Sequence, residues 1–534
     1  MPPSCPAWLR SAIIYNIYPQ SFHDANGDGI GDLPGILSKL DYIKSLGVNC
    51  IWLNPIYASP FGDAGYDVAD FCKVAPRYGT NEDARALFEA AHERGIRVIL
   101  DFVAGHTSDQ HPWFQASARP EPNRYGNRYV WTAETFGPTP EGEYIGGYSD
   151  RDGRYLANFF YFQPALNYGW AYPQHDWQLP TDHPDVLALK QDMRDILRFW
   201  LDLGADGFRV DMAASLVKGD PDSAATMQYW RGERDWLQSE YPEAVLIAEW
   251  SHPKDALGCG FHVDFMIHSG TSVYTTLFRA EQGRNVFPGD GHSFFDRAGK
   301  GDIRAFLDTY IHHLNTTREQ GYISIPTGNH DLPRLNSGRS EEELRVALAF
   351  VLTMPGVPQL YYGDEIGMRN LDGLTSKEGA YIRTGARTPM QWDASPNAGF
   401  SAAPPNQLYL PVDPEADRPT VARQDPAPES LLNFVRSLTA LRRQLQPLGA
   451  DGEFLPLFAE SEAYPFVYAR RLDDVVALVA LNPADAKQSC TVRPPNSISA
   501  VPPLERLAGT ATASAQGGAF TFEMPPISFG IWRM

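Results

Sequence analysis

The sequence predicts an α/β fold: a closed (β/α)8 barrel of TIM type, with an inserted subdomain after the third strand and a C-terminal antiparallel β domain. Three observations predict it. Apolar strand-like runs alternate with amphipathic helical stretches over most of the chain. Four such runs end in DFVAGH at 101–106, GFRVD at 207–211, LIAEW at 246–250 and GNHD at 328–331, and each segment carries a carboxylate, a histidine or an arginine. A strand interior does not tolerate these groups unpaired, so polar chemistry gathers where strands stop, as it does at the carboxyl face of a barrel. Beyond 451, helical stretches give way to short alternating strands.

In order along the chain, a strand over 12–18 leads into a helix over 33–46, a strand at 48–53 into a helix at 83–94, and a third strand covers 96–103, a βαβαβ start. From 106 to 176 the alternation breaks down in a stretch rich in Pro, Gly, Tyr, Trp and Asn, too long for a connection and too aromatic for disorder. Residues 107–176 are therefore expected to form subdomain B, walling one side of the site. The pattern resumes with a helix at 184–203, strands at 207–210, 245–248, 262–267, 322–325 and 359–362, and intervening helices such as 302–317 and 341–352. The barrel is expected over 1–106 and 177–450, with a long Pro-rich loop at 371–426 after strand eight. Strands at 466–470, 475–481 and 519–523 belong to the β domain at 451–534.

Charge narrows the partners. With 65 acidic against 45 basic side chains the formal charge is −20, which repels a phosphate backbone or an anionic membrane and leaves small neutral molecules. The first twenty residues lack a charged start followed by a long apolar stretch, and no apolar run reaches bilayer length. The five cysteines are odd in number and mostly flanked by apolar residues, which suits reduced core thiols. A cytoplasmic protein without nucleic-acid or membrane partners, monomeric or a homodimer, is expected.

Cleaving an acetal between two sugars requires one carboxylate to attack or stabilise a cationic anomeric carbon and a protonated acid to assist the leaving oxygen. Asp211 and Glu249 are the best pair. Arg209 lies two residues before Asp211 on the same strand face, where its fixed charge is expected to hold the aspartate ionised as a nucleophile. Glu249 ends the apolar run AVLIA beside Trp250, surroundings expected to raise its pKa and keep it protonated as an acid. Asp331, beside His330, is placed to bind sugar hydroxyls with a bidentate carboxylate. If the enzyme retains configuration, the carboxyl groups of Asp211 and Glu249 should stand about 5 to 5.5 Å apart.

DANGDGIGD points to a metal. Asp24, Asn26, Asp28 and Asp32 supply oxygens at alternating positions with the Ile30 carbonyl between them, and three glycines permit the tight backbone of a hard cation's cage. An EF-hand would end in Glu at its twelfth position, where Gly35 stands. The alternative is an Asx-rich turn without metal.

Together these segments, with YNIYPQSFHDANGDGIGDLPGI, GVNCIWLNPIY, DAGYDVADF, MPGVPQLYYGDEIGM and ARTPMQWD, resemble glycoside hydrolase family 13, the α-amylase family, and within it the α-glucosidase, oligo-1,6-glucosidase, sucrose isomerase and trehalose synthase group. The resemblance covers nearly everything from 14 to 393. It implies Asp211 as nucleophile, Glu249 as general acid and base, and Asp331 as transition-state stabiliser. It implies His106, Arg209 and His330 as contacts to the cleaved sugar, Tyr66 as its stacking partner, and Asp63 with Arg387 closing the pocket behind its nonreducing end, an exo mode. It also implies structural Ca2+ or Mg2+ in the 24–32 loop. Small α-glucosides are the implied substrates, cleaved through a covalent β-glucosyl-enzyme, with transglucosylation or sucrose or maltose isomerisation as the alternative.

Departures from the family pattern bear on specificity. Gly105 stands where the family commonly has a calcium-ligating Asn, Ala165 replaces the acid of QPDLN, and Met212 follows the nucleophile where Val accompanies α-1,6 preference and Ala or Thr α-1,4 preference. The loop between Gly367 and Arg387 is shorter than is usual for oligo-1,6-glucosidases, and Phe159 and Gln163 are placed to line the entrance region.

Overall fold

The computed structural model describes residues 5–137, 139–267, 273–280, 291–379, 381–495, 498 and 504–534. Eight strands form one parallel sheet: β1 (Ile14–Ile17), β2 (Cys50–Leu53), β3 (Arg97–Val103), β4 (Gly207–Asp211), β5 (Val245–Ala248), β6 (Val263–Phe265), β7 (Tyr322–Ser324) and β8 (Gln359–Tyr361). Each pairs with its sequence neighbour, β1 also pairs with β8, and a parallel bridge from Pro326 to Gln359 closes the ring between β7 and β8. Nearly all of these strand residues are buried, as expected of strands with side chains on the barrel interior on one face and helices on the other.

Local signals set the helices. Thr80 with Asp83, and Ser340 with Glu343, form capping boxes that start helices Asn81–Glu93 and Glu341–Thr353. Pro184 at the first turn and Gly204 at φ 119° bound helix Pro184–Leu203, whose stripe of Val186, Leu189, Met193, Leu197 and Trp200 is buried. The single helix expected over 33–46 is instead two, Leu33–Ser38 and Leu40–Ser45, broken at Lys39. The Lys39 ammonium lies 4.4 Å from the centroid of the Trp392 ring, a contact 353 residues away in sequence that helical periodicity does not encode.

Between β3 and helix Pro184–Leu203 the chain forms a hairpin, Glu143–Gly146 with Arg154–Ala157; Ala157 bridges to Pro164 within the same segment, and Ala165 bridges back to His106, just after β3. At the C-terminal end lie a five-stranded antiparallel sheet and a three-stranded one, with cores on both faces of the larger sheet. Within Val475–Asn482, Ala477, Val479 and Leu481 join the barrel's core while Val476, Leu478 and Ala480 join the core between the sheets, the period-two alternation of a strand covered on both sides.

Candidate active site

The four strand-end segments meet at one end of the barrel, and Arg209 sits at their centre. Its side chain is 1 % exposed, and its guanidinium reaches three strands: Nη1 donates to Asp101 on β3 at 2.8 Å and to Asp211 at the end of β4 at 3.0 Å, while Nη2 lies 2.6 Å from Glu249, the residue after β5. The sequence expectation for Asp211 is corrected here. Burial first, and the neighbouring Glu249 charge second, push its carboxyl well above the usual carboxylate range, and Arg209 only partly opposes them. Nor is Glu249 in an apolar pocket: Arg209 and the Met212 amide, which donates to Oε2 at 2.9 Å, surround it. The two carboxyl groups share the one Arg209 guanidinium, at 3.0 Å from Asp211 and 2.6 Å from Glu249, and after burial each other's charge is what most disfavours ionising Asp211. Residues so coupled hold a proton as a pair.

Met212 turns the chain sharply after β4, at φ 43° and ψ 45°, a left-handed conformation that costs a non-glycine residue on the order of 1 kcal/mol. That turn is what aims its amide at Glu249.

A second network runs from Asp101 to Asp331. Tyr66 donates to Asp101 at 2.8 Å, Asn54 donates both to Tyr66 Oη and to His330 Nδ1 at 3.0 Å, and the His330 Nε2–H faces Asp331 at 3.3 Å. The rings of Tyr66 and His330 stack at 5.3 Å with 11° between planes, so the face of Tyr66 is fixed by His330. Burial lowers the pKa of His330 to about 3 and that of His106 to about 4, leaving both neutral. His106 donates from Nε2 to the Tyr66 carbonyl at 3.1 Å and accepts from Asn158 on Nδ1 at 3.0 Å. Both its nitrogens have protein partners, so His106 ties the inserted segment to the tyrosine.

Around Asp331 the expectation also changes. Arg387 donates from Nη2 to Asp331 at 3.1 Å and from Nε to the His330 carbonyl at 2.8 Å. The guanidinium that spans to Asp63 is Arg383, 2.7 Å from Asp331 and 3.4 Å from Asp63. Gln163 is fully buried and donates to Asp63 at 2.9 Å, so its side chain is turned to that carboxylate and does not face the entrance. Phe159 is half exposed.

Sequence reasoning missed Asp101, Asn54, Asn158 and Arg383. The first two had a signal: a carboxylate inside the apolar run of β3, and a buried asparagine next after β2. Arg383 lies within the 3-10 helix Tyr381–Ala386 and Arg387 follows its end, and both guanidinia reach Asp331. Asn158 carried no signal of its own.

The departures at Gly105 and Ala165 have local reasons. A Cβ on Gly105 would stand 3.0 Å from the Asn158 amide nitrogen, so glycine makes room for the group that orients His106. Ala165 is fully buried among Val130, Leu156 and Trp170, where a carboxylate would lie among apolar side chains.

In the 24–32 loop, the donors are all oxygen and suit a hard cation, and the Asp24 charge helps raise the pKa of Asp32 after burial, a repulsion a divalent ion would relieve. The loop is also closed by its own hydrogen bonds. Asp24 accepts from the amides of Gly27 and Gly29, Asn26 from that of Asp28, Asp28 from that of Ile30, and Asp32 from those of Ala25, Asn26 and Gly35. Among the described residues no three Asp, Glu, His or Cys side chains are grouped to hold an ion. No described helix is long and apolar enough to cross a membrane.

A barrel with carboxylates, an arginine and neutral histidines gathered at the ends of its strands defines a carbohydrate-processing class of protein, and comparison with known proteins agrees. The α-amylase catalytic-domain model matches residues 16–451, and the chain belongs to that family of enzymes. It is 36% identical to trehalose synthase/amylase TreS of Mycolicibacterium smegmatis over 479 residues, 82% of this chain and 76% of the relative. It is 32% identical to the oligo-1,6-glucosidase of Parageobacillus thermoglucosidasius over 532 residues, 89% of this chain and 90% of the relative. Among solved structures it is similar to a MutB mutant in complex with the substrate sucrose, at 28% identity and TM-score 0.81 over 99% of both chains. A mutant isomaltulose synthase from Erwinia rhapontici NX5, with its natural substrate sucrose, gives TM-score 0.81 at 26% identity over 99% of both chains.

Proposed function

We propose that the protein is a retaining, exo-acting α-glucosidase working on small α-glucosides, and the observation that carries this reading is the single guanidinium of Arg209 holding Asp211 and Glu249 together from adjacent strands. The pair shares the proton the reaction needs. With a terminal glucose bound, Asp211 attacks the anomeric carbon as Glu249 protonates the departing oxygen, giving a covalent β-glucosyl ester on Asp211. Glu249, now anionic, removes a proton from water, whose oxygen attacks the same carbon and releases glucose with its configuration retained. Asp331, held by Arg383 and Arg387, binds ring hydroxyls as positive charge develops, and Tyr66 supports the sugar's face. Asp63 with Arg383 closes the pocket beyond the nonreducing end, which supports attack on one terminal unit at a time. The Asp24, Asn26, Asp28 and Asp32 side chains with the Ile30 carbonyl would hold a Ca2+ or Mg2+ ion, whose part is structural.

Two experiments test this reading. Asp211→Asn should lower turnover of an aryl α-glucoside by about four orders of magnitude; turnover left unchanged removes the enzymatic assignment. Products from maltose, isomaltose, sucrose and trehalose, followed by NMR through the first turnover, should be glucose released in the α configuration. A second reading, glucosyl transfer or disaccharide isomerisation, is favoured by the 36% identity to a trehalose synthase, and accumulation of a new disaccharide would establish it.

A further inference from the structure

One side-chain nitrogen of the inserted segment reaches the ends of two barrel strands. Asn158 directly follows the hairpin strand Arg154–Ala157. Its Nδ2 donates to His106 Nδ1, beyond the end of β3, at 3.0 Å, and the same nitrogen lies 3.7 Å from Met212 Sδ, beyond the end of β4. An amide nitrogen carries two hydrogens, one for each partner. A thioether is a weak acceptor, so the second contact fixes a position more than it adds energy. The base it works from is held as well: the Asn158 main-chain amide donates to the Gln163 carbonyl at 2.9 Å, and Gln163 Oε1 accepts from the Phe160 amide at 2.9 Å.

What this nitrogen holds matters on both sides. A donor aimed at His106 Nδ1 requires that nitrogen bare, which leaves the ring proton on Nε2, where it is given to the Tyr66 carbonyl at 3.1 Å. The left-handed backbone of Met212 persists only where its neighbours over-determine it. Ser215 supplies two such contacts, from its amide and its hydroxyl to the Met212 carbonyl at 3.1 and 3.0 Å, and Asn158 braces the side chain. The Met212 amide then fixes Glu249 Oε2 at 2.9 Å while Arg209 takes Oε1 at 2.6 Å, so both oxygens of that carboxyl have a set direction.

We propose that Asn158 is a positioning residue for the general acid: it holds His106 in the Nε2–H tautomer and braces the Met212 turn, so that Glu249 stays in the orientation from which it protonates the departing oxygen. This rests on the glucosidase reading and adds to it a residue of the inserted segment that acts through others.

The test uses the leaving group. Glucose departing from maltose needs the acid's proton far more than p-nitrophenolate does, so a misplaced acid changes the ratio of the two rates, whereas a loosened fold lowers both alike. Asn158→Asp keeps the shape and removes the donor; Asn158→Ala removes the donor without adding charge. In each, kcat/KM should fall about tenfold for maltose and at most about threefold for p-nitrophenyl α-glucoside. A maltose-to-aryl ratio equal to that of the wild type overturns the proposal while the glucosidase reading stands, whether both activities fall or neither does. If maltose is isomerised or its glucose transferred, the ratio is read from substrate consumed, because these routes share the first step. If the wild type consumes neither substrate, the glucosidase reading fails on its own, and nitrogen NMR of the histidines decides the proposal. His106 must carry its proton on Nε2 in the wild type and gain one on Nδ1 in Asn158→Asp; an unchanged ring overturns it.

Discussion

Asp264 on β6 shows how one buried carboxyl serves the strand beside it. It is fully buried, and its Oδ1 accepts from the amides of Trp250 at 3.1 Å and Ser251 at 3.2 Å, pinning the turn that follows Glu249. Burial pushes its pKa up to about 8. The folded protein thus keeps this proton between pH 3.8 and about 8 while the unfolded chain gives it up, so wild-type stability falls as pH rises through that window. Asp264→Asn removes the titration. Its melting temperature relative to wild type should therefore climb as pH is raised from 4 to 8, by the equivalent of at most about 1.4 kcal/mol per pH unit; parallel melting curves across that range would show that Asp264 does not titrate there. At this scale the carboxylates Asp211, Glu249 and Asp331 were legible because each interrupts or ends an apolar run. Arg383 was not: its partners, Asp63 and Asp331, are 320 and 52 residues away in sequence, and only folding selects it over Arg387.

Among the elements, Arg442 of helix Leu431–Gln444 fastens it to the end of helix Glu341–Thr353. Arg442, buried, donates to the carbonyls of Leu352, Met354 and Gly356 at 2.9, 2.8 and 2.7 Å, satisfying the oxygens that the end of the helix leaves without intrahelical partners. Arg442→Met fills similar space and strands those carbonyls, and it should lower unfolding free energy by about 3 kcal/mol. Urea denaturation at constant pH measures this, and a loss within error would show that the carbonyls find other donors. The periodic helices and buried strands could be read in advance because their spacing carries the information. The split at Lys39 could not, since it accompanies a ring contact with Trp392 from the other end of the catalytic region.

For the molecule as a whole, the 24–32 loop fastens the first barrel unit to the last. Asp24 takes a hydrogen bond from the Ser401 hydroxyl at 2.5 Å and gives one from its amide to the Phe400 carbonyl, while Gly29 accepts from the Tyr409 amide. An ion held by the Asp24, Asp28 and Asp32 oxygens would tighten that join. Calcium at one hundred times its dissociation constant should stabilise the fold by about 2.7 kcal/mol and raise the melting temperature by a few degrees. Asp28→Ala, which removes an exposed donor with one local hydrogen bond, should abolish the rise. A melting temperature indifferent to calcium and to EDTA would leave the loop as the self-closed turn its hydrogen bonds describe.

The fit between Gly105 and Asn158 sets a rule for recombination. One residue belongs to the barrel rim and the other to the segment inserted after β3, so neither half can be exchanged with a homologue alone. A chimera that imports a foreign insert without asparagine at 158 takes from His106 the amide that orients it; one that places asparagine at 105 must first clear the side chain at 158. Shuffling libraries cut between these two positions should be depleted in active clones unless both travel together.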